Sequence, residues 1–273
     1  MKISIKKYHL VFGFIVLLFA IVFTLPQISF SDLKNAFIPS SRLSLIESSI
    51  SGNIIVSPNH SIQTSLPLLD KTVVIDQSPV IAFTFDDGPH PEFTARLLKI
   101  LLDYDVPATF FIVGKQAKLH PYLVQLIHNS GHELANHSYT HRNMTMLDSS
   151  ELNWEVQETH ELVKRLAHVD MKFFRPPGGR YNSVTLDQTR KMGYQTALWS
   201  VFPQDHSSPP ISVIRSRVLA QAKSGGVVLF HSGVENTLIV LPELIQYFKK
   251  QGYRFLTLSQ IQPHPDLSKS VLK

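Results

Sequence analysis

The chain has 273 residues, 44% of them hydrophobic, with no cysteine and a formal net charge of +5. That length suits one large domain, or one domain with an appendage, and the ordinary apolar content excludes general disorder. The absence of cysteine excludes disulfide scaffolds, thiolate zinc sites, iron–sulfur clusters and cysteine nucleophiles. The charge, with no long basic run beyond the first residues, gives mild attraction to anionic surfaces and no nucleic-acid footprint. The 13 histidines are generous for this length, and histidine is both a common metal ligand and a proton carrier.

In chain order, Lys2, Lys6 and Lys7 precede Leu10–Leu25, an apolar run interrupted only by Gly13 and Thr24. A helix of that length spans roughly 24 Å, short of a hydrocarbon core of about 30 Å, and Tyr8 and the residues to Ile28 can make up the difference. Residues 1–29 therefore read as a transmembrane anchor with cytoplasmic lysines, or as a signal peptide cleaved near Ser29-Phe30-Ser31. The first places the protein at the cell membrane, single-pass with an extracytoplasmic catalytic domain. The second makes it secreted. Residues 30–78, rich in Ser with scattered Pro, read as a spacer with room for short strands at Asn53–Val56 or Thr72–Ile75.

From residue 79 the pattern becomes regular. Strands are predicted at Val80–Phe85, Ala108–Val113, His132–Asn136, Met171–Phe174, Gln195–Val201, Val227–Phe230 and Arg254–Leu258. Helical periodicity fills Thr94–Asp103, Tyr122–Ser130, a segment capped by Asp148 or Ser149 and running to Ala167, Ser183–Met192, Val213–Lys223 and Leu238–Gln251. Such alternation over residues 79–262 predicts an α/β fold of parallel βαβ units, closed into a barrel or open and doubly wound. No G-x-G-x-x-G follows the first strand, so a dinucleotide fold lacks its main support. Residues 263–273 are left as a C-terminal tail.

Reactive groups in (β/α) barrels sit at the carboxyl ends of strands. Here those ends carry Asp86-Asp87-Gly88-Pro89, Asn136-His137 with His141 four residues on, Arg175-Pro176-Pro177-Gly178-Gly179, Asp205-His206 and His231. Taken singly, Asp-Asp-Gly-Pro is also a common turn, and two histidines four apart are also two surface residues. Together they point to a site. Two adjacent carboxylates facing a dry pocket repel unless a cation or a shared proton intervenes. A metal resolves this by taking one carboxylate and leaving the other free as a base. His137 and His141, placed on one helical face by their spacing, join Asp87 in a set of two imidazoles and one carboxylate, suited to catalytic zinc or another divalent ion. Arg175 would keep Asp86 ionised and aimed, and Asp205 would raise the pKa of His231 for service as a general acid.

Thr84-Phe85-Asp86-Asp87-Gly88-Pro89, His137-Ser138-Tyr139-Thr140-His141, Arg175-Pro176-Pro177-Gly178-Gly179 and Leu229-Phe230-His231 resemble the motifs of the NodB-like polysaccharide deacetylases, carbohydrate esterase family four. The resemblance covers residues 79 to 260. It implies a distorted (β/α)7 barrel and a metal-dependent deacetylase of carbohydrate. By position, Asp87, His137 and His141 match the metal ligands, Asp86 the base, Arg175 the residue that orients it, His231 the acid and Asp205 its tuning carboxylate. Gly178 matches an oxyanion donor through its backbone N–H, and Leu229 lines the acetyl pocket. The chain departs from the family at Phe202 and His206, where an aspartate and a tryptophan are usual. Trp199 either replaces some of that aromatic surface or belongs to the core.

The resemblance implies Zn2+ as the metal, with Co2+, Mn2+ or Ni2+ as alternatives, and an acetylated glycan as the substrate. Export beside a cell wall favours peptidoglycan N-acetylglucosamine. Chitin oligomers or another exopolysaccharide are the alternative substrates, and a non-catalytic carbohydrate-binding barrel is the alternative role. The other partner expected is the membrane, through the N-terminal segment. No obligate protein partner is inferred.

Overall fold

The computed structural model of the chain describes residues 78–264, 267 and 271–273. The apolar run Leu10–Leu25, the triplet Ser29-Phe30-Ser31 and the strands expected at Asn53–Val56 and Thr72–Ile75 lie outside the described residues, as does the spacer up to residue 77. Among the described residues no helix is long and apolar enough to cross a membrane.

The elements follow the predicted alternation. Strand β1 (Val80–Gly88) leads to helix α1 (Thr94–Asp103), β2 (Thr109–Ile112), α2 (Gly114–Leu119), α3 (Pro121–Asn129), β3 (Glu133–Asn136) and α4 (Ser149–Ala167). Then come β4 (Phe173–Phe174), α5 (Ser183–Lys191), β5 (Gln195–Thr196), α6 (Ile211–Gln221), β6 (Gly226–His231), α7 (Glu235–Lys250), β7 (Arg254–Phe255) and α8 (Leu258–Ile261). Local chemistry explains the strongest of these. Leu97, Leu98 and Leu101 form the buried stripe of α1. Asp148 caps α4 in a capping box, accepting from the N–H of Glu151, whose side chain returns to the Asp148 N–H. Pro121 opens α3, where its missing N–H costs nothing.

The strand expected over Gln195–Val201 is formed as β5 only over Gln195–Thr196, and other expectations also need correction. Leu258 begins α8 rather than ending the last strand, because Thr257 caps a helix there with Gln260 in a capping box. Short α2 lies between β2 and α3, where no helix was expected; at six residues it is too short for a periodic signature.

All strands pair in parallel, in the order β5-β4-β3-β2-β1-β6, with β7 against the start of β1. The chain beyond β5 then returns to the far edge. Val201 donates to Val227 O and accepts from Leu229 N, each at 3.0 Å, joining β5's continuation to β6. This isolated bridge brings the segment after β5 beside β6. One face carries Ile81, Phe83 and Phe85 into a large core shared with helix residues such as Leu101, Val156, Val218 and Leu244. The other face carries Val80 and Ala82 into a smaller core with Phe111, Ala135, Phe173, Ala197 and Val227, to which Leu258 and Ile261 also belong. Period-two alternation therefore aims Val80, Ala82, Thr84 and Asp86 along one file. Residues 271–273, within the expected tail, belong to this fold: Val271 is fully buried and its carbonyl accepts from Leu198 N at 2.7 Å.

Candidate active site

The file of β1 ends at Asp86, whose register partner across the sheet is His231 at the end of β6. On the other side, His137 N donates to Ile112 O and Arg175 N to Asn136 O, so the ladders carry both residues just past the ends of their strands. The sequence-predicted residues from five segments are thereby brought to one end of the sheet.

Arg175 is fully buried, and each of its three guanidinium nitrogens donates a hydrogen bond. Its Nη1 donates to Asp86 Oδ1 at 2.7 Å and to Thr84 Oγ1 at 2.9 Å, its Nε to Ala197 O and its Nη2 to Leu198 O. The guanidinium lies 3.9 Å from the centroid of the Phe111 ring. Burial alone would lower its pKa, and the adjacent Asp86 carboxylate opposes this. With Oδ1 tied to Arg175, Asp86 keeps Oδ2 for other work, 3.6 Å from His137 Nε2.

Asp87 adopts a left-handed backbone, φ 69°, which turns its side chain away from the file of Asp86. Its Oδ1 lies 3.4 Å from His137 Nε2 and 3.0 Å from His141 Nε2. The expectation of a helical His137/His141 pair is corrected here. Both sit on a loop after β3, with φ 64° at Ser138 and 62° at His141, and the turn rather than a helix brings the imidazoles together.

His137 Nδ1 lies 2.7 Å from the Arg175 carbonyl, which can only accept, so Nδ1 carries the proton and Nε2 presents its lone pair toward Asp87. Asp87 Oδ1 is buried without a hydrogen bond despite these close nitrogens. A buried carboxylate oxygen so placed beside an imidazole lone pair fits a divalent cation, and Asp87, His137 and His141 form a group able to hold one. With the imidazoles protonated instead, their hydrogen bonds and charge outweigh the burial that pushes the Asp87 carboxyl up and hold it well below the usual carboxylate range. Asp87 in turn raises His141.

Opposite this group, His231 Nδ1 meets Asp205 Oδ1 at 2.7 Å, while Asp205 Oδ2 accepts from His231 N and from Thr237 Oγ1. Burial lowers the His231 pKa, but the hydrogen bond and charge of Asp205 prevail and raise it above the ordinary histidine value. Nε2 is left to act. A second group able to hold a metal, Asp205, His206 and His231, overlaps this pair. Its carboxylate is already spent on His231 and Thr237.

The remaining predicted residues border the same end. Gly178, φ 62°, stands exposed in the short turn Pro177–Gly179 after β4. Leu229 is buried on β6, two residues before His231 and on its face. Trp199 fits both readings offered for it. It is half-buried, it packs so closely on Gly179 that a Cβ there would lie 2.5 Å from the indole, and its ring centroid is 5.4 Å from that of Phe202. Phe202 stacks on His206 at 5.8 Å, and His206 meets His231 edge-on at 5.1 Å. The two residues that depart from the family motif thus continue an aromatic wall to His231. Thr84, quoted above only as the start of its motif, and Thr237 take parts in the site that the sequence reading assigns to neither. Thr84 was findable as the same-face neighbour of Asp86 on β1, whereas Thr237 reaches Asp205 from a helix with no sequence signal.

A group able to hold a cation, facing an arginine-held carboxylate and a carboxylate-held imidazole at the carboxyl ends of parallel strands, is an arrangement suited to hydrolytic chemistry. The family model described as Polysaccharide deacetylase matches residues 74–197. Over 193 residues the chain is 35% identical to a peptidoglycan-N-acetylglucosamine deacetylase of Bacillus cereus, covering 69% of this chain and 90% of that one. It is 37% identical over 182 residues to a chitooligosaccharide deacetylase of Rhizobium leguminosarum bv. trifolii, covering 66% and 81%. Among solved structures, a CE4 family pseudoenzyme from Bacillus anthracis superposes with a TM-score of 0.64 at 28% identity, covering 67% of this chain and 65% of that one. The chain belongs to the polysaccharide deacetylase family and is a hydrolase of that class.

Proposed function

We propose that the chain removes acetyl groups from N-acetylated glycan, with peptidoglycan N-acetylglucosamine as its substrate, and that it does so as a metal-dependent enzyme. The parallel sheet, with Val201 bridged to β6, is read with this as the family's distorted (β/α)7 barrel. The observation that carries the reading is the complete set of Asp86, Asp87, His137, His141, Arg175, Asp205 and His231 in mutual reach. Because a structural neighbour is a pseudoenzyme, it is these residues rather than the fold that argue for turnover against a non-catalytic barrel.

Asp87, His137 and His141 would hold the cation, Zn2+ first among candidates. Such an ion supplies Lewis acidity toward the acetyl carbonyl and lowers the pKa of attacking water. Asp86 Oδ2 takes the proton of that water, while Arg175 holds Oδ1 and aims the carboxylate. The Gly178 N–H donates to the oxyanion that develops on the former carbonyl. His231 Nε2 delivers its proton to the departing sugar nitrogen, and Asp205 stabilises the imidazolium until then. Leu229 forms the apolar seat of the acetyl methyl, and Trp199 lines the approach.

We assign residues 1–29 to a membrane anchor or signal peptide, which would place the catalytic domain outside the cytoplasm. The test is acetate release by the purified full chain from peptidoglycan, from chitin oligomers and from another acetylated exopolysaccharide, with and without chelator. Release from peptidoglycan that chelator abolishes is expected, as is its loss in Asp86→Asn. Preference for chitin oligomers would move the substrate assignment, and no release from any glycan would favour the non-catalytic barrel.

A further inference from the structure

The loop that carries His137 and His141 is held by groups outside the catalytic set. Residues 138 and 141 both take left-handed backbone, an uncommon conformation for non-glycine residues that surrounding structure must enforce. The backbone of the loop shows how. Its carbonyls at Ser138 and Tyr139 accept from the first N–H groups of α2, of Gly114 at 3.0 Å and Lys115 at 2.9 Å. The N–H of Ser138 donates to Asn136 Oδ1, and the N–H of His141 to Ser138 Oγ. The two N–H groups between these, of Tyr139 at 2.8 Å and Thr140 at 2.7 Å, both donate to one oxygen, Oε2 of Glu155. The Thr140 hydroxyl takes the other oxygen.

Glu155 comes from α4 and is 1% exposed, an unusual place for a carboxylate. Its neighbour on the helix, Trp154, covers the Tyr139 ring edge-on at 5.0 Å between centroids. A buried carboxylate spent wholly on backbone and hydroxyl donors of one loop has little to gain for the helix that bears it. It acts on the loop.

We propose that Glu155 is a positioning residue for the cation site: it fixes the Tyr139-Thr140 backbone so that both flanking imidazoles face Asp87 together. This rests on the metal reading given above. The mechanism is geometric, since a single acceptor oxygen clamps two consecutive N–H groups midway between the ligands. Glutamine preserves such an oxygen, and its amide can donate to a reoriented Thr140 hydroxyl. Alanine preserves neither.

The experiment measures dissociation constants for Zn2+ and Co2+ by chelator competition on the full chain, alongside the melting midpoint of the metal-free protein. Glu155→Ala is expected to weaken binding roughly tenfold to a hundredfold, the scale of losing an outer-shell support. Glu155→Gln is expected to stay near the wild type. Thr140→Val, which removes one of the three bonds, weakens binding about threefold to tenfold and serves where Glu155→Ala does not fold. Wild-type affinity in both Glu155→Ala and Thr140→Val, even with lowered midpoints, would overturn the role and leave a structural carboxylate. Glu155→Gln as weak as Glu155→Ala would overturn it in favour of charge. A wild-type chain that binds neither ion would fell the metal reading itself, and the proposal with it.

Discussion

At the residue scale, two histidines show how burial and a partner push imidazoles in opposite directions. His231 is buried but bonded to Asp205, and the carboxylate wins, raising its pKa above the ordinary value. As the proposed acid it works while protonated, so activity holds below that raised pKa and is lost as pH rises through it. Asp205→Asn removes the charge and leaves burial to act. The alkaline limb of kcat/KM should then begin at lower pH, and an unmoved limb would belong to another group. His132, just ahead of β3, has no such partner: its Nδ1 is buried without a hydrogen bond, and burial pushes its pKa down to about 4. The unfolded chain, with an ordinary histidine near 6.5, binds the extra proton first as pH falls. The neutral form's stability is therefore full above 6.5 and declines toward 4, by about 3 kcal/mol at most. His132→Leu should flatten that slope in urea titrations between these pH values, and an unchanged slope would assign it to other groups.

At the element scale, the caps and buried stripes were legible in the sequence and the ligand loop was not. Asp148 or Ser149 announces the start of α4, which Asp148 caps, and the leucines of α1 mark that helix, because both signals are local. His137 and His141 share a helical spacing yet sit on a turn, because the spacing of two residues carries no information about the backbone between them. What shapes that turn comes from α2 and α4, distant in sequence. Gly114 at the head of α2 lies so close that an added Cβ would stand 2.4 Å from Tyr139 Cδ2 and 2.5 Å from Thr159 Oγ1. Gly114→Ala should therefore cost roughly 1–3 kcal/mol as the loop or α4 yields. Its urea midpoint, compared with the wild type, checks this; an unchanged midpoint would mean that the Tyr139 ring can withdraw freely.

At the scale of the whole molecule, the strand ends that carry Asp86, His137, Arg175 and His231 could be found from the sequence because apolar runs buried on both faces mark parallel strands. The contacts of the segment after β5 could not, because they depend on short, irregular pairings far apart in the chain. The clearest case is the C-terminus, which reads as a tail and instead completes the fold. Val271 is fully buried in the smaller core, its carbonyl takes the Leu198 N–H, and Lys273 N donates to Thr196 O at 2.9 Å. Those bonds fix the segment whose Ala197 and Leu198 carbonyls hold Arg175, which in turn holds Asp86. A chain ending at residue 270 loses one buried valine and two backbone hydrogen bonds, together about 3 kcal/mol or more. Its denaturant midpoint should fall accordingly. Because the guanidinium loses the frame around two of its acceptors, turnover of acetylated glycan should fall in the fraction that remains folded. A truncated chain with a wild-type midpoint would show that residues 271–273 lie on the fold without supporting it, and one that lost stability but kept full turnover would separate the frame of Arg175 from the chemistry of Asp86.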